Sequence, residues 1–176
     1  MPFAHYLMMM ALGTTAAVID LRHHRIPNAL TLAGALVGLA ASGFVTWPEG
    51  IWLGLLGLVT GLCLFLPGFL LGMTGGGDVK LMAAFGAFLG PGLTLRAFAI
   101  YLLAGLTFAL VYGAYLRLTQ GAELPFNRYW LMLRTLFRTG RMAYIKPTST
   151  EALGKRMPMA PAIAIGALAA PLHAFM

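Results

Sequence analysis

The chain has 176 residues, of which 60% are hydrophobic and 10% charged, and its mean hydropathy is +0.83. Soluble domains carry about 25% charged residues, so a water-soluble globular fold is excluded. The net charge of +7 would raise nucleic acid as a partner in a soluble protein; in a membrane protein it marks cytoplasmic loops and anionic lipid headgroups instead, and no nucleic-acid partner is expected.

The apolar residues run in long unbroken stretches rather than the alternation a membrane β-barrel needs. Helices satisfy their own backbone in lipid, so the fold class is all-α, an integral membrane protein of about six transmembrane helices in one polytopic domain spanning residues 1–176. The first apolar run covers residues 3–19. No Lys or Arg precedes it, so it reads as a retained membrane helix and not a secretory signal. It leads into a polar loop, "DLRHHRIPN", residues 20–28. Runs two and three cover residues 29–46 and 51–73, with the turn "WPEG" between them. A glycine loop follows, and then a short fourth run, residues 79–89. "GPG" at 90–92 ends it, and the fifth run covers residues 93–116. The last, residues 158–176, carries three prolines and is expected to be kinked or short.

Between runs five and six, residues 117–157 hold eight of the twelve Lys and Arg residues. Within this stretch, 100° per residue places Arg128, Arg134, Arg138 and Arg141 on one side of a helix over 126–145. Phe126, Tyr129, Met132, Leu133, Leu136 and Phe137 fall mostly on the other. Such a basic amphipathic helix lies in the headgroup plane, against membrane lipids. Arg22, Arg25, Lys80 and the basic segment all follow odd-numbered runs. Those ends therefore face the cytoplasm and both termini lie outside, with Arg96 the one exception.

The chain has two aspartates, Asp20 and Asp78. This topology puts both at cytoplasmic helix ends, at similar depth. An acid at a membrane span is a functional candidate by default. The structural alternatives are an ion pair from Asp20 to Arg22 or Arg25, and an N-cap role for Asp78. Gly75, Gly76 and Gly77 precede Asp78. They can take positive φ, turn the chain sharply and let a substrate backbone approach. A phosphate-binding loop is excluded, because Lys80 follows no glycine and Leu81 is neither Ser nor Thr. Two close carboxylates share one proton. One then draws a proton from water and the other donates a hydrogen bond to a carbonyl, which is general acid–base peptide hydrolysis with no metal or other cofactor. Lys80 orients a carboxylate or the substrate, or anchors at the interface.

The stretch "GGGDVKLMAAFGAFLG" resembles the G-x-G-D motif of the type IV prepilin peptidases, through Gly75, Gly77 and Asp78. "DLRHHRIPN" resembles their first-aspartate motif through Asp20, Ile26, Pro27 and Asn28. "MPMAPAIAIGAL", residues 157–168, resembles their proline-containing final helix. The resemblance implies an intramembrane aspartic endopeptidase of the bacterial inner membrane. It would cut the basic leader from prepilins on the cytoplasmic side, with Asp20 and Asp78 as the catalytic pair. Gly75, Gly76, Gly77, Lys80 and Asn28 are the expected substrate-binding residues. Larger members carry paired cysteines and N-methylate the new terminus. With Cys63 its one cysteine, the chain looks like the short, peptidase-only branch associated with tight-adherence (Flp-type) pili, with pseudopilins as further candidate substrates.

Two rival readings make different predictions. A proton-coupled transporter would place its acids near the midplane, and a pilus or secretion scaffold would tolerate Asp→Asn. The presenilin pattern, a Tyr-Asp pair in the adjacent span, does not fit Ile19-Asp20. Cys63 is expected to be packing, Met8, Met9 and Met10 to face lipid, and His5, His23, His24 and His173 to be interfacial residues, with no metal site.

Overall fold

The structure, a computed structural model, describes residues 3–70, 74–120, 126–139 and 159–171. Every regular element among them is a helix: α1 (Phe3–His23), α2 (Asn28–Val45), α3 (Glu49–Leu70), α4 (Gly76–Gln120), α5 (Phe126–Thr139) and α6 (Ala160–Ala169). Four helices are long and apolar enough to cross a membrane: α1, α2, α3 and the 76–111 stretch of α4. The fold is all-α and the protein is a multi-pass membrane protein. The chain forms two compact units, Met1–Gly105 with Pro158–Met176, and Leu106–Met157.

The first unit is held together by small residues. Lipid is as apolar as a leucine side chain, so helices associate in it through close packing, which small residues permit. The buried positions of α3 are Gly50, Gly54, Gly57, Gly61 and Phe65, one stripe at helical spacing. It faces the start of α4: a Cβ on Gly57 would overlap the Gly86 carbonyl, and one on Gly61 would lie 2.6 Å from the Met82 carbonyl oxygen. The buried stripe of α1 is His5, Met9, Leu12, Gly13, Ala16 and Asp20. It packs on α6, where Tyr6 donates to the Leu168 carbonyl at 3.3 Å. Residues 81–89 are buried throughout, so this short stretch is the centre of the unit.

The break expected at 90–92 occurs at Gly90, whose φ of 69° and ψ of 173° are non-helical. A positive φ of this kind is cheap only for glycine. Pro91 has no N–H, so the Ala87 carbonyl loses its helical partner. Ser42 Oγ supplies one at 2.9 Å. His5 Nε2 donates to the Phe88 carbonyl at 2.9 Å, and Thr94 Oγ1 to the Gly90 carbonyl at 2.6 Å. Side chains thus bond three carbonyls of the break, as an apolar surrounding requires. The chain reverses there. Gly61 faces Met82, while Phe65, one turn further along α3, stacks on Tyr101 at 4.8 Å and meets Phe98 at 5.4 Å. Residues 98–101 therefore lie alongside residues 78–82. The sequence's fourth and fifth runs are the two antiparallel legs of α4.

Several expectations are corrected. α1 continues through residues 20–23 as helix, closed by the His24 N–H on the Asp20 carbonyl at 2.8 Å, so the first loop is four residues, 24–27. Met9 is fully buried while Met8 and Met10 are exposed, because Met9 alone falls on the α1 stripe. Cys63 is exposed, off the α3 glycine face. His5 is buried within the bundle, 5% exposed; His23 and His24 are exposed. α6 is short, ten residues. His173 and the 172–176 end of the sixth run lie outside the described residues, as do residues 71–73 of the third.

The second unit contains α5. It confirms a helix from Phe126, and it ends at Thr139; Arg141 and the 140–145 end of the expected helix lie outside the described residues. Its exposed side chains include Arg134 and Arg138 together with Trp130, Leu131 and Phe137.

Candidate active site

Asp20 sits in the last turn of α1, at the end of its buried stripe, and is 6% exposed. Its Oδ2 accepts the backbone N–H of Ala160 at 3.0 Å. Ala160 is the first residue of α6, where backbone N–H groups have no partner within the helix. A carboxylate there is also favoured by the helix dipole, by about 0.3–1 kcal/mol and up to about 2 when partly buried. Asp20 thus turns to a helix end and not to Arg22 or Arg25, which are both exposed.

Asp78 lies in the first turn of α4 and is half-buried. Its Oδ2 accepts the Gly75 N–H at 3.1 Å, while the Asp78 and Val79 N–H groups donate to the Gly75 carbonyl at 3.1 and 3.3 Å. Asp78 is therefore the third helical residue reaching back to the cap position, the returning half of a capping box, and not the N-cap itself. The two aspartates share one pattern. Each ties Oδ2 to a backbone amide, and among the described residues Oδ1 of each takes no hydrogen bond. The charge of Asp20 reaches Asp78.

Two contacts join the segments that carry them. A Cβ on Gly77 would lie 3.1 Å from Ile26 Cβ, so the loop after α1 packs directly on the start of α4. Lys80 Nζ donates to Asn28 Oδ1 at 2.9 Å. Gly75 is exposed, and a Cβ there would meet only Asp78. Gly76 would meet Phe69 at 3.4 Å. Positive φ occurs at Gly90 and not at Gly75, Gly76 or Gly77. These glycines serve through the space they leave, since two of them already belong to α4. An open depression of 570 Å³ lies at the end of α1 and the loop after it, lined by Ile19, His23, Arg25, Ile26, Pro27 and Asn28; Asp20 does not line it.

A model of the type IV leader peptidase family matches residues 7–113. The chain belongs to that family. It is a leader peptidase of the prepilin type, acting on prepilin-type substrates. No curated protein and no solved structure is significantly similar to it. The matched stretch contains both aspartates and both legs' contact at the Gly90 break, but it stops short of α5 and α6. Ala160, which holds Asp20, lies beyond it. The sequence signal for that contact was Pro161, a helix-start residue; that its neighbour's N–H would meet Asp20, 140 residues earlier, was not legible.

Proposed function

We propose that this leader peptidase is an aspartic endopeptidase in which Asp20 and Asp78 activate the water. The observation that supports this reading is the shared arrangement of the two carboxylates: the charge of Asp20 reaches Asp78, one oxygen of each is fixed by a backbone amide, and the other takes no hydrogen bond among the described residues. When substrate and water draw the two carboxylates together, like charges at that range hold one proton between them. The ionised carboxylate takes a proton from water as its oxygen attacks the scissile carbonyl carbon. The protonated one donates its hydrogen bond to the carbonyl oxygen and passes that proton to it as the tetrahedral intermediate forms. The tetrahedral intermediate then collapses: the C–N bond breaks, the leaving nitrogen takes a proton from the first carboxyl, and the second regains its own.

The substrate segment is extended beside the exposed Gly75, where the missing side chain lets its backbone approach the first turn of α4, whose leading N–H groups have no partner within the helix. Lys80 and Asn28 bound the same edge. The enzyme sits in the bacterial inner membrane with this edge facing the cytoplasm and both termini outside, in line with Arg22, Arg25 and Lys80 on that side. Its substrates are tight-adherence (Flp-type) prepilins, and it does not N-methylate them. The domain is single, with residues 117–157 a cytoplasmic basic segment against anionic lipid.

The test is leader cleavage of a tight-adherence prepilin co-expressed with the wild type, Asp20→Asn or Asp78→Asn at equal membrane levels. Cleavage by the wild type and loss in both variants is expected. Cleavage that survives both substitutions overturns the aspartic reading.

A further inference from the structure

The reversal of α4 at Gly90 brings one further polar group to the level of the aspartates. Tyr101 lies eleven residues past Gly90, and Asp78 twelve before it. At 1.5 Å per residue these are about 16 and about 18 Å along antiparallel legs. The Tyr101 side chain is 7% exposed. On one side its ring stacks on Phe65 of α3 at 4.8 Å. On another, α6 presses close: a Cβ on Gly166 would lie 3.1 Å from the Tyr101 nitrogen and 3.2 Å from its Cβ. The direction of the ring is fixed too. A Cβ on Gly105 would sit 3.9 Å from Tyr101 Cε2, so the ring leans toward residue 105, the end of the leg remote from Gly90. That is the end at which Asp78 begins the other leg and Asp20 meets α6. Tyr101 and Asp78 are within electrostatic reach of each other.

A phenol in such a place is not explained by packing. Phenylalanine would fill the same space between Phe65 and Gly166, whereas the tyrosine adds a hydroxyl that is not among the sealed-off polar atoms and so stays open at the level of the aspartates. The groups it can serve are few. The one acidic residue of α3 is Glu49, at that helix's opposite end, and α6 has no charged residue. Asp78 Oδ2 is already held by Gly75, which leaves Oδ1.

We propose that Tyr101 is a positioning residue for Asp78, walling the aspartate pair on its membrane side and orienting the free Oδ1 toward the water that attacks. The proposal rests on the aspartic reading given above. Neither the glycine motif nor the first-aspartate motif points to Tyr101; the fold alone brings it there.

The experiment uses purified full-length enzyme in lipid nanodiscs with a tight-adherence prepilin as the probe, and measures kcat and KM across pH. Tyr101→Phe keeps the ring and its stacking and removes only the hydroxyl. The expected result is a kcat lower by about tenfold to a hundredfold, the range for a hydrogen bond to a charged group. KM should stay within about twofold, and the pH–rate profile should be displaced. A merely structural role would move none of these in a chain that melts like the wild type. Should Tyr101→Phe not yield folded protein, site-specific 3-fluorotyrosine at 101, which keeps shape and makes the phenol more acidic, must shift the profile. A wild-type kcat and profile in whichever chain folds overturns the proposal. Asp20→Asn and Asp78→Asn run alongside: if these retain activity the aspartic reading itself fails, and if they are inactive while Tyr101→Phe is not, only the role of Tyr101 fails.

Discussion

Replacing Gly57 by alanine sets local propensity directly against packing. Alanine is better than glycine in a helix interior by about 0.8–1.0 kcal/mol, so Gly57→Ala in the middle of α3 should stabilise on that ground. The structure reverses the sign. A Cβ at this position overlaps the Gly86 carbonyl and would lie 2.7 Å from Gly90 Cα. Carbon–carbon contacts settle at about 3.5–4.0 Å, so α3 and the first leg of α4 must part by roughly 1 Å. Both obstructions are backbone and cannot rotate away. Overpacking of this kind costs about 1–3 kcal/mol, and with the propensity gain subtracted the loss reaches about 2 kcal/mol. For a chain of this size that is a fall of about 4–8 °C in melting midpoint. The function should suffer more than the fold. The leg that moves carries Asp78, whereas Asp20 is held by α1 and α6, and a 1 Å misplacement of reacting groups costs on the order of a hundredfold in rate. The assay is thermal melting of the purified chain in detergent at one scan rate, paired with prepilin cleavage. Gly92→Ala is the control, since a Cβ there meets nothing within 4 Å, and it should melt at or slightly above the wild type. A Gly57→Ala chain that melts at or above the wild type and cleaves normally would refute the close-packing account.

Ser42→Ala should lower stability by about 1–3 kcal/mol, the cost of leaving the Ala87 carbonyl without the donor that Pro91 cannot supply; an unchanged melting midpoint would mean the break is satisfied some other way. The Lys80–Asn28 bond predicts shared rather than additive effects: Lys80→Met and Asn28→Ala should each lower kcat/KM, and the double variant should be no worse than the more damaging single one. Effects that multiply would show that the two residues act separately.

Much of this protein was legible in one dimension. The long apolar runs against so few charges dictate membrane helices, because hydrocarbon leaves the backbone no other partner. "GPG" marks the end of a helix through two local properties, the missing Pro91 N–H and the freedom of Gly90 to take positive φ. Asp20 and Asp78 stand out since an acid is costly in such surroundings. Local rules could not say how far α1 extends past the first aspartate. Residues 20–23 stay helical because Asp20 closes a buried stripe and finds an N–H at the start of α6, a contact 140 residues away in sequence. Likewise, the glycines of α3 read as flexible or neutral until their neighbour is known; only the pairing with Gly86 and Gly90 turns them into close-contact positions. The roles of Ser42 and His5 belong to the same class, since each repairs a carbonyl on a helix it does not belong to. What periodicity and composition determine is set within a helix turn, where the partners are three or four residues apart. What tertiary structure decided, including the level of Tyr101 on the second leg of α4, depends on a chain reversal that brings distant residues to one level.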